Sequence, residues 1–187
     1  ARSPQRDIWK DALMTQIAYQ LYCSRNFPPL ADVCKMLADT GFKTVEGYRG
    51  LFDDLDGVKA ALDESGLDMT SCHIGLDMIE DEPDAVLELA RAVNMQKVFI
   101  PFLPLEERPT DSDGWRTLAA RVAEAGKVIK DAGLGFGWHN HEFEFVATPQ
   151  GDIPEDLLVA AGVDLELDLG WVVRAGHDPV ETIQKYG

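Results

Sequence analysis

The sequence predicts a parallel α/β barrel of the TIM type, and three observations carry that prediction. Six short apolar runs end at Gln20, Glu46, His73, Pro101, His139 and Asp168, and each is followed by a helical pattern. The intervals between those endings are 26, 27, 28, 38 and 29 residues, close to one strand–loop–helix–loop unit. Four of the expected helix-to-strand joints also share one device, a glycine followed by an apolar residue: Gly41-Phe42, Gly66-Leu67, Gly133-Leu134 and Gly162-Val163. Only glycine enters the left-handed cap conformation cheaply, so repeated joints of this kind mark repeated helix ends.

Taken in order, Ile17–Tyr22 reads as the first strand and Pro29–Thr40 as the first helix. Leu30, Val33, Cys34, Leu37 and Ala38 form one apolar stripe on that helix. Phe42–Glu46 is the second strand, and a weaker helix from about Asp53 to Glu64 carries Leu55, Val58 and Leu62. Leu67–His73 is the third strand. Asp84–Val93 is the third helix, with Asn94 suited to a left-handed cap. Val98–Pro101 is the fourth strand, and a long proline-rich loop leads to Asp111-Ser112-Asp113, whose side chains can cap a helix. That helix places Trp115, Leu118, Val122, Ala125 and Ile129 on one face. Leu134–His139 is the fifth strand, a short helix opens at Pro154, Val163–Asp168 is the sixth strand, and Pro179–Lys185 begins a sixth helix.

An open doubly wound sheet is the competing architecture. It announces its nucleotide site by a glycine-rich first turn, and Tyr22–Pro28 contains no glycine. Six βα units are expected, whereas a closed barrel of this type has about eight. The last two units are therefore expected to be missing, either by truncation or because the barrel is incomplete with an edge that needs covering. Residues 14–187 are read as this barrel domain, and residues 1–13 as an extension before a natural start at Met14, an assignment made from position only.

Bulk properties narrow the functional classes. The 17 Lys and Arg against 33 Asp and Glu give a formal net charge of −16, which repels phosphate backbones and anionic lipid. Neither a nucleic-acid nor a membrane partner is expected. No apolar stretch approaches the roughly 20 residues that span a bilayer, and Ala1–Lys10 has no signal-peptide shape. The 3 cysteines are odd in number and unmotivated in spacing, which fits a reduced, cytoplasmic setting.

Side chains alternate along a strand, so parity sorts those of the expected site. In the sixth strand Asp164, Glu166 and Asp168 share one direction, opposite Val163, Leu165 and Leu167. In the fifth, Gly137, His139 and His141 lie opposite Phe136 and Trp138. With helices covering the outside, the inward set at the strand ends becomes Gln20, Glu46, His73, His139, His141 and Asp168, which includes 3 of the 4 histidines. Imidazoles and carboxylates at one mouth suit a single divalent ion such as Mn²⁺, Zn²⁺, Co²⁺ or Mg²⁺. Each residue also has a plainer reading: a paired core side chain for Glu46 and His73, packing for Trp171, a turn at Asp168–Trp171, and ordinary surface positions for Arg174 and His177.

Several segments together carry a family resemblance. Ala18–Tyr22, Ser71–Leu76, His139–Phe145 and Glu166–Gly176 resemble the sugar phosphate isomerase/epimerase family, the xylose isomerase-like barrels, over residues 16–187. The resemblance implies an eight-stranded barrel with one divalent metal held by acids and a histidine. It implies Asp168 as a metal ligand and His141 as a substrate-facing, catalytic residue. The fifth-strand ligand of the family is usually glutamate; here His139 stands at that position, so either His139 or Glu144 is the expected ligand. Trp171 stands where some relatives carry histidine.

The expected function is isomerisation or epimerisation of a sugar or keto-sugar by proton abstraction beside a metal-polarised carbonyl. His141 and Glu144 are the expected catalytic residues, and Gln20, Glu46, His73, Trp171 and Arg174 the substrate contacts. A keto-sugar or inosose dehydratase on the same barrel is the alternative, and a non-catalytic binding protein a second one. The expected partner is a small sugar, with self-association open.

Overall fold

The computed structural model describes residues 17–187; the expected extension at residues 1–13 and the start at Met14 lie outside the described residues. One six-stranded sheet forms the centre, with every pairing parallel and the strands in chain order: β1 (Ala18–Gln20), β2 (Thr44–Tyr48), β3 (Asp68–His73), β4 (Lys97–Ile100), β5 (Gly135–His139) and β6 (Asp164–Glu166). Parallel neighbours in strict sequence order require a helical crossover in each connection, which is the βα arrangement of a barrel. These strands form a consecutive arc of that barrel, with β1 and β6 at its two edges.

The crossovers are α1 (Leu30–Asp39), α2 (Leu55–Ser65), α3 (Leu76–Asp81), α4 (Pro83–Ala92), α5 (Ser112–Asp131) and α6 (Pro154–Ala160), followed after β6 by α7 (Leu169–Arg174) and α8 (Pro179–Tyr186). Sequence-local chemistry sets their ends. Asp54 and Asp111 accept from Gly57 N and Gly114 N at the starts of α2 and α5. Gly41, Gly66, Gly133, Gly162 and Asn94 all take positive φ, as the joint pattern predicts. The stripe of α5 packs as expected, with Trp115, Leu118, Val122 and Ile129 buried. Gly126 lies so close to the ring of Phe136 on β5 that a Cβ there would sit 2.3 Å from it. The missing side chain lets helix and strand approach.

Several boundaries differ from the sequence expectation, among them β2, which runs on to Tyr48 beyond the expected end at Glu46. Leu21–Ser24 and Arg49–Asp54 are 3₁₀ turns, so β1 ends early and α2 starts late. The short helices α3 and α7 were not separated from their loops by sequence pattern, being too brief to show a period. β6 ends at Glu166, so Asp168 is not a strand residue but the N-cap of α7.

β3 contains the irregularity that matters most for the site. Val45 pairs with Met69 but Glu46 pairs with Ser71, leaving Thr70 as an extra residue. Met69 and Cys72 both pack on Gly47, in the layer between sheet and helices. Strict alternation would put Met69 and His73 on one face. The bulge shifts the phase, so Ser71 and His73 turn to the opposite side, beside Glu46.

Candidate functional site

A cavity of about 620 Å³ opens where the strands end. Every unit contributes to its wall: Gln20 and Tyr22 at and after the end of β1, Tyr48 and Arg49 at that of β2, His73 and Gly75 at that of β3, His139 and His141 at that of β5, with Pro101 and Phe102 following β4 and Asp168 and Trp171 following β6. Of the residues expected at the site, Gln20, His73, His139, His141, Asp168 and Trp171 meet here.

Below the lining, Glu46 and Glu166 are joined to it through the two deep histidines. Glu166 Oε2 lies 2.6 Å from His73 Nε2 and 3.1 Å from His139 Nδ1. Glu46 Oε1 is 3.3 Å from the same His73 nitrogen and accepts from Gln20 Nε2 at 3.1 Å, while Oε2 accepts from the Ser71 hydroxyl at 2.7 Å. One ligand atom from each of His73, His139 and Glu166 falls within 4.8 Å of the others, the one such potential metal-holding group among the described residues.

The electrostatics divide the two acids. Burial, followed by the adjacent Glu166, pushes the Glu46 carboxyl up. Burial pushes the same way at Glu166, but the adjacent His139 and His73 imidazoles outweigh it and hold that carboxyl well below the usual range. Of the two acids, Glu166 is thus the one whose charged form is favoured, and Glu46 the one whose charged form is disfavoured. Burial opposes charge on His139, yet Glu166, Asp168 and Glu46 together raise its pKa. Burial and the charge of His139 push His141 down to about 4, leaving a neutral imidazole at neutral pH.

His141 sits among aromatic rings, with centroids 4.7 Å from Trp171, 5.3 Å from Phe102 and 6.0 Å from a nearly parallel Phe143. Its Nδ1 is buried and has no hydrogen-bond partner among the described residues, and the same is true of His139 Nδ1. The latter lies near Glu166 Oε2 but out of line for a hydrogen bond.

Three expected site residues stand elsewhere. Glu144 is fully buried outside the cavity lining, where its carboxylate accepts from Trp138 Nε1 at 2.9 Å and from the His141 backbone N–H at 2.8 Å. Both oxygens are already engaged by the chain's own donors, which places Glu144 as a support for His141. Arg174 is directed outward, 5.2 Å over the ring of Trp171 and 3.7 Å from Glu142. Glu46 lies beneath the lining, among protein partners. Conversely, Glu166 was left out of the expected site although parity pointed it inward; the expectation took only the last polar residue of the run. Asn140, fully buried between the last two strands, carried no recognisable signal in the sequence.

By sequence, no protein-family model and no curated protein matches the chain. Solved structures do match it. A sugar phosphate isomerase/epimerase from Parabacteroides distasonis superposes with TM-score 0.77 at 22% identity, over 91% of this chain and 71% of that one. An AP endonuclease, family 2, from Brucella melitensis gives 0.70 at 16% identity, over 90% and 74%. A xylose isomerase-like TIM barrel protein from Mycobacterium smegmatis, in complex with magnesium, gives 0.65 at 19% identity, over 91% and 71%. The chain has the fold of the sugar phosphate isomerase/epimerase and other xylose isomerase-like TIM barrels.

Proposed function

We propose that this protein is a divalent-metal-dependent isomerase or epimerase of a sugar or keto-sugar. The observation that carries the reading is the meeting of His73 and His139, in the wall of the cavity that His141 and Asp168 also line, with Glu166 beneath them. The donor set fits a divalent ion: His139 Nδ1 is buried without a hydrogen bond, next to a charged carboxylate. His73, His139 and Glu166 would hold the ion, and when bound it supplies polarisation of a substrate carbonyl.

The chain's own groups supply the rest. His141, neutral at neutral pH and lining the cavity, accepts the proton from the carbon beside that carbonyl and returns it to a neighbouring carbon. Epimerisation needs a second group at the other face, and Asp168, whose Oδ1 caps α7, lines the same cavity with its carboxylate. Trp171 and Phe102 offer apolar faces to the C–H side of a sugar ring and exclude water, while Gln20 reaches its hydroxyls. Glu144 positions His141 through the backbone. Arg174 acts only through the ring of Trp171.

The similarity to a sugar phosphate isomerase/epimerase supports sugar chemistry, and that to a magnesium complex supports an ion in this fold. The similarity to an AP endonuclease is set against a net charge of −16 and a cavity in which, among the described residues, Arg49 is the one Lys or Arg of the lining. Incubating the protein with Mn²⁺ or Co²⁺ and a panel of ketoses in D₂O tests the proposal. Deuterium appearing in an epimeric or isomeric sugar is the expected outcome. An elimination product alone would replace it by the dehydratase reading, and no exchange with any sugar by the non-catalytic one.

A further inference from the structure

We propose, resting on the metal-dependent reading above, that the ion is an imidazole-preferring transition metal bound by His73, His139 and Glu166, with Asp168 as an outer partner instead of a ligand. The resemblance assigns Asp168 to the metal, and the geometry moves that role two residues back along β6. Asp168 is committed elsewhere: its Oδ1 caps α7 by accepting from Trp171 N at 3.0 Å. Its Oδ2 faces the other side of the His139 ring, 3.9 Å from Nε2, a separation suited to a bridging water. An acid on the Nε2 side favours the tautomer protonated there. That leaves the lone pair on Nδ1, the atom that is buried, unpaired and 3.1 Å from Glu166 Oε2.

The surrounding shell fits the same assignment. Glu46 stands 3.3 Å from His73 Nε2, the nitrogen that faces Glu166, and is itself fixed by Ser71 and Gln20. Two nitrogens and one oxygen, contributed by β3, β5 and β6, leave positions open for substrate oxygens. Imidazole-rich sites select Zn²⁺, Co²⁺ or Fe²⁺, whereas Mg²⁺ prefers oxygen ligands and retains its waters. The site is therefore expected to differ in ion preference from the magnesium-bound relative of the same fold.

Equilibrium dialysis with elemental analysis, followed by Co²⁺ absorption spectroscopy, tests this without any substrate. One Zn²⁺ or Co²⁺ per chain is expected, undisplaced by an excess of about 100-fold Mg²⁺. His73→Ala, His139→Ala and Glu166→Gln should each weaken Co²⁺ binding by about 100-fold or more, and Asp168→Asn by about 10-fold. Displacement by equimolar Mg²⁺, or loss of the ion in Asp168→Asn with retention in Glu166→Gln, would overturn the assignment. Proton NMR of the unaltered Co²⁺ protein provides a check that no folding defect can mask. Two paramagnetically shifted imidazole N–H signals are expected, and none would refute it. A chain that holds Co²⁺ on these ligands but exchanges no sugar proton overturns the proposed function while supporting the site.

Discussion

Asn140 closes two hydrogen bonds onto the backbone of Asp168, donating to its carbonyl at 3.1 Å and accepting from its N–H at 2.7 Å. One side chain thereby locks the segment after β5 to the segment after β6. His139 and His141 flank Asn140, so the clamp fixes both imidazoles relative to Asp168 and Trp171. Asn140 is fully buried, and each backbone group it leaves without a partner costs about 1–3 kcal/mol. Asn140→Ala is expected to lower unfolding free energy by about 2–4 kcal/mol, read from urea denaturation. Sugar turnover should fall at temperatures where the variant remains folded. Unchanged turnover would mean that the clamp stabilises without positioning.

Glu144 makes the corresponding prediction for His141. Its carboxylate joins the indole of Trp138 to the backbone N–H of His141 from a fully buried position. Glu144→Gln presents an amide NH₂ to one of two N–H donors, so one of the two bonds must be lost. A destabilisation of about 1–3 kcal/mol follows. If Glu144 only positions His141, kcat should fall by less than about 100-fold and Co²⁺ affinity should hold, measured by titration. Loss of Co²⁺ binding in this variant would return Glu144 to the ligand set.

The sequence showed the arc of strands because the repeat is encoded locally: alternating strands, amphipathic helices, and a residue fit for positive φ at each joint. It showed His73, His139, His141 and Asp168 as one group because polar residues that end apolar runs have few other reasons to be there. What it hid arose from irregular backbone. The extra residue at Thr70 decides which way Ser71 and His73 face, and no composition signal marks it. The early end of β6 makes Asp168 a helix cap and brings Glu166 to the histidines. Glu144 read as a site acid because its partners, an indole and one backbone N–H, become visible only when the 3₁₀ turn at Phe143–Phe145 folds it back.

Trp171 tests the apolar wall. Its ring is 4.7 Å from that of His141 and lines the cavity. Removing it should weaken binding of a sugar ring more than it slows proton transfer. Trp171→Ala is expected to raise KM by about 10-fold with a smaller change in kcat, since the lost contact is made in both ground and transition states. The opposite split, a fall in kcat at constant KM, would show that the indole acts on the proton-transferring groups.

Glu155 lies outside the site and sets the pH dependence of the fold. It is fully buried in the first turn of α6, and neither carboxylate oxygen has a hydrogen-bond partner among the described residues. Burial first, then the charges of Glu144 and Asp156, push its carboxyl up to about 8 from an ordinary 4.5. The unfolded chain therefore releases this proton near pH 4.5, while the folded chain keeps it until about pH 8. Folding binds a proton across that window, so stability is full below it and declines as pH rises through it. The decline is on the order of 3–5 kcal/mol at its end. Glu144, raised to about 7 chiefly by burial, contributes in the same direction over the lower part of the window. Glu155→Gln keeps the side chain neutral at every pH. Its thermal midpoint should match the parent near pH 5 and exceed it increasingly toward pH 8.5, by several degrees for a domain of this size. Parallel pH profiles for the two proteins would show that Glu155 ionises freely in the folded state.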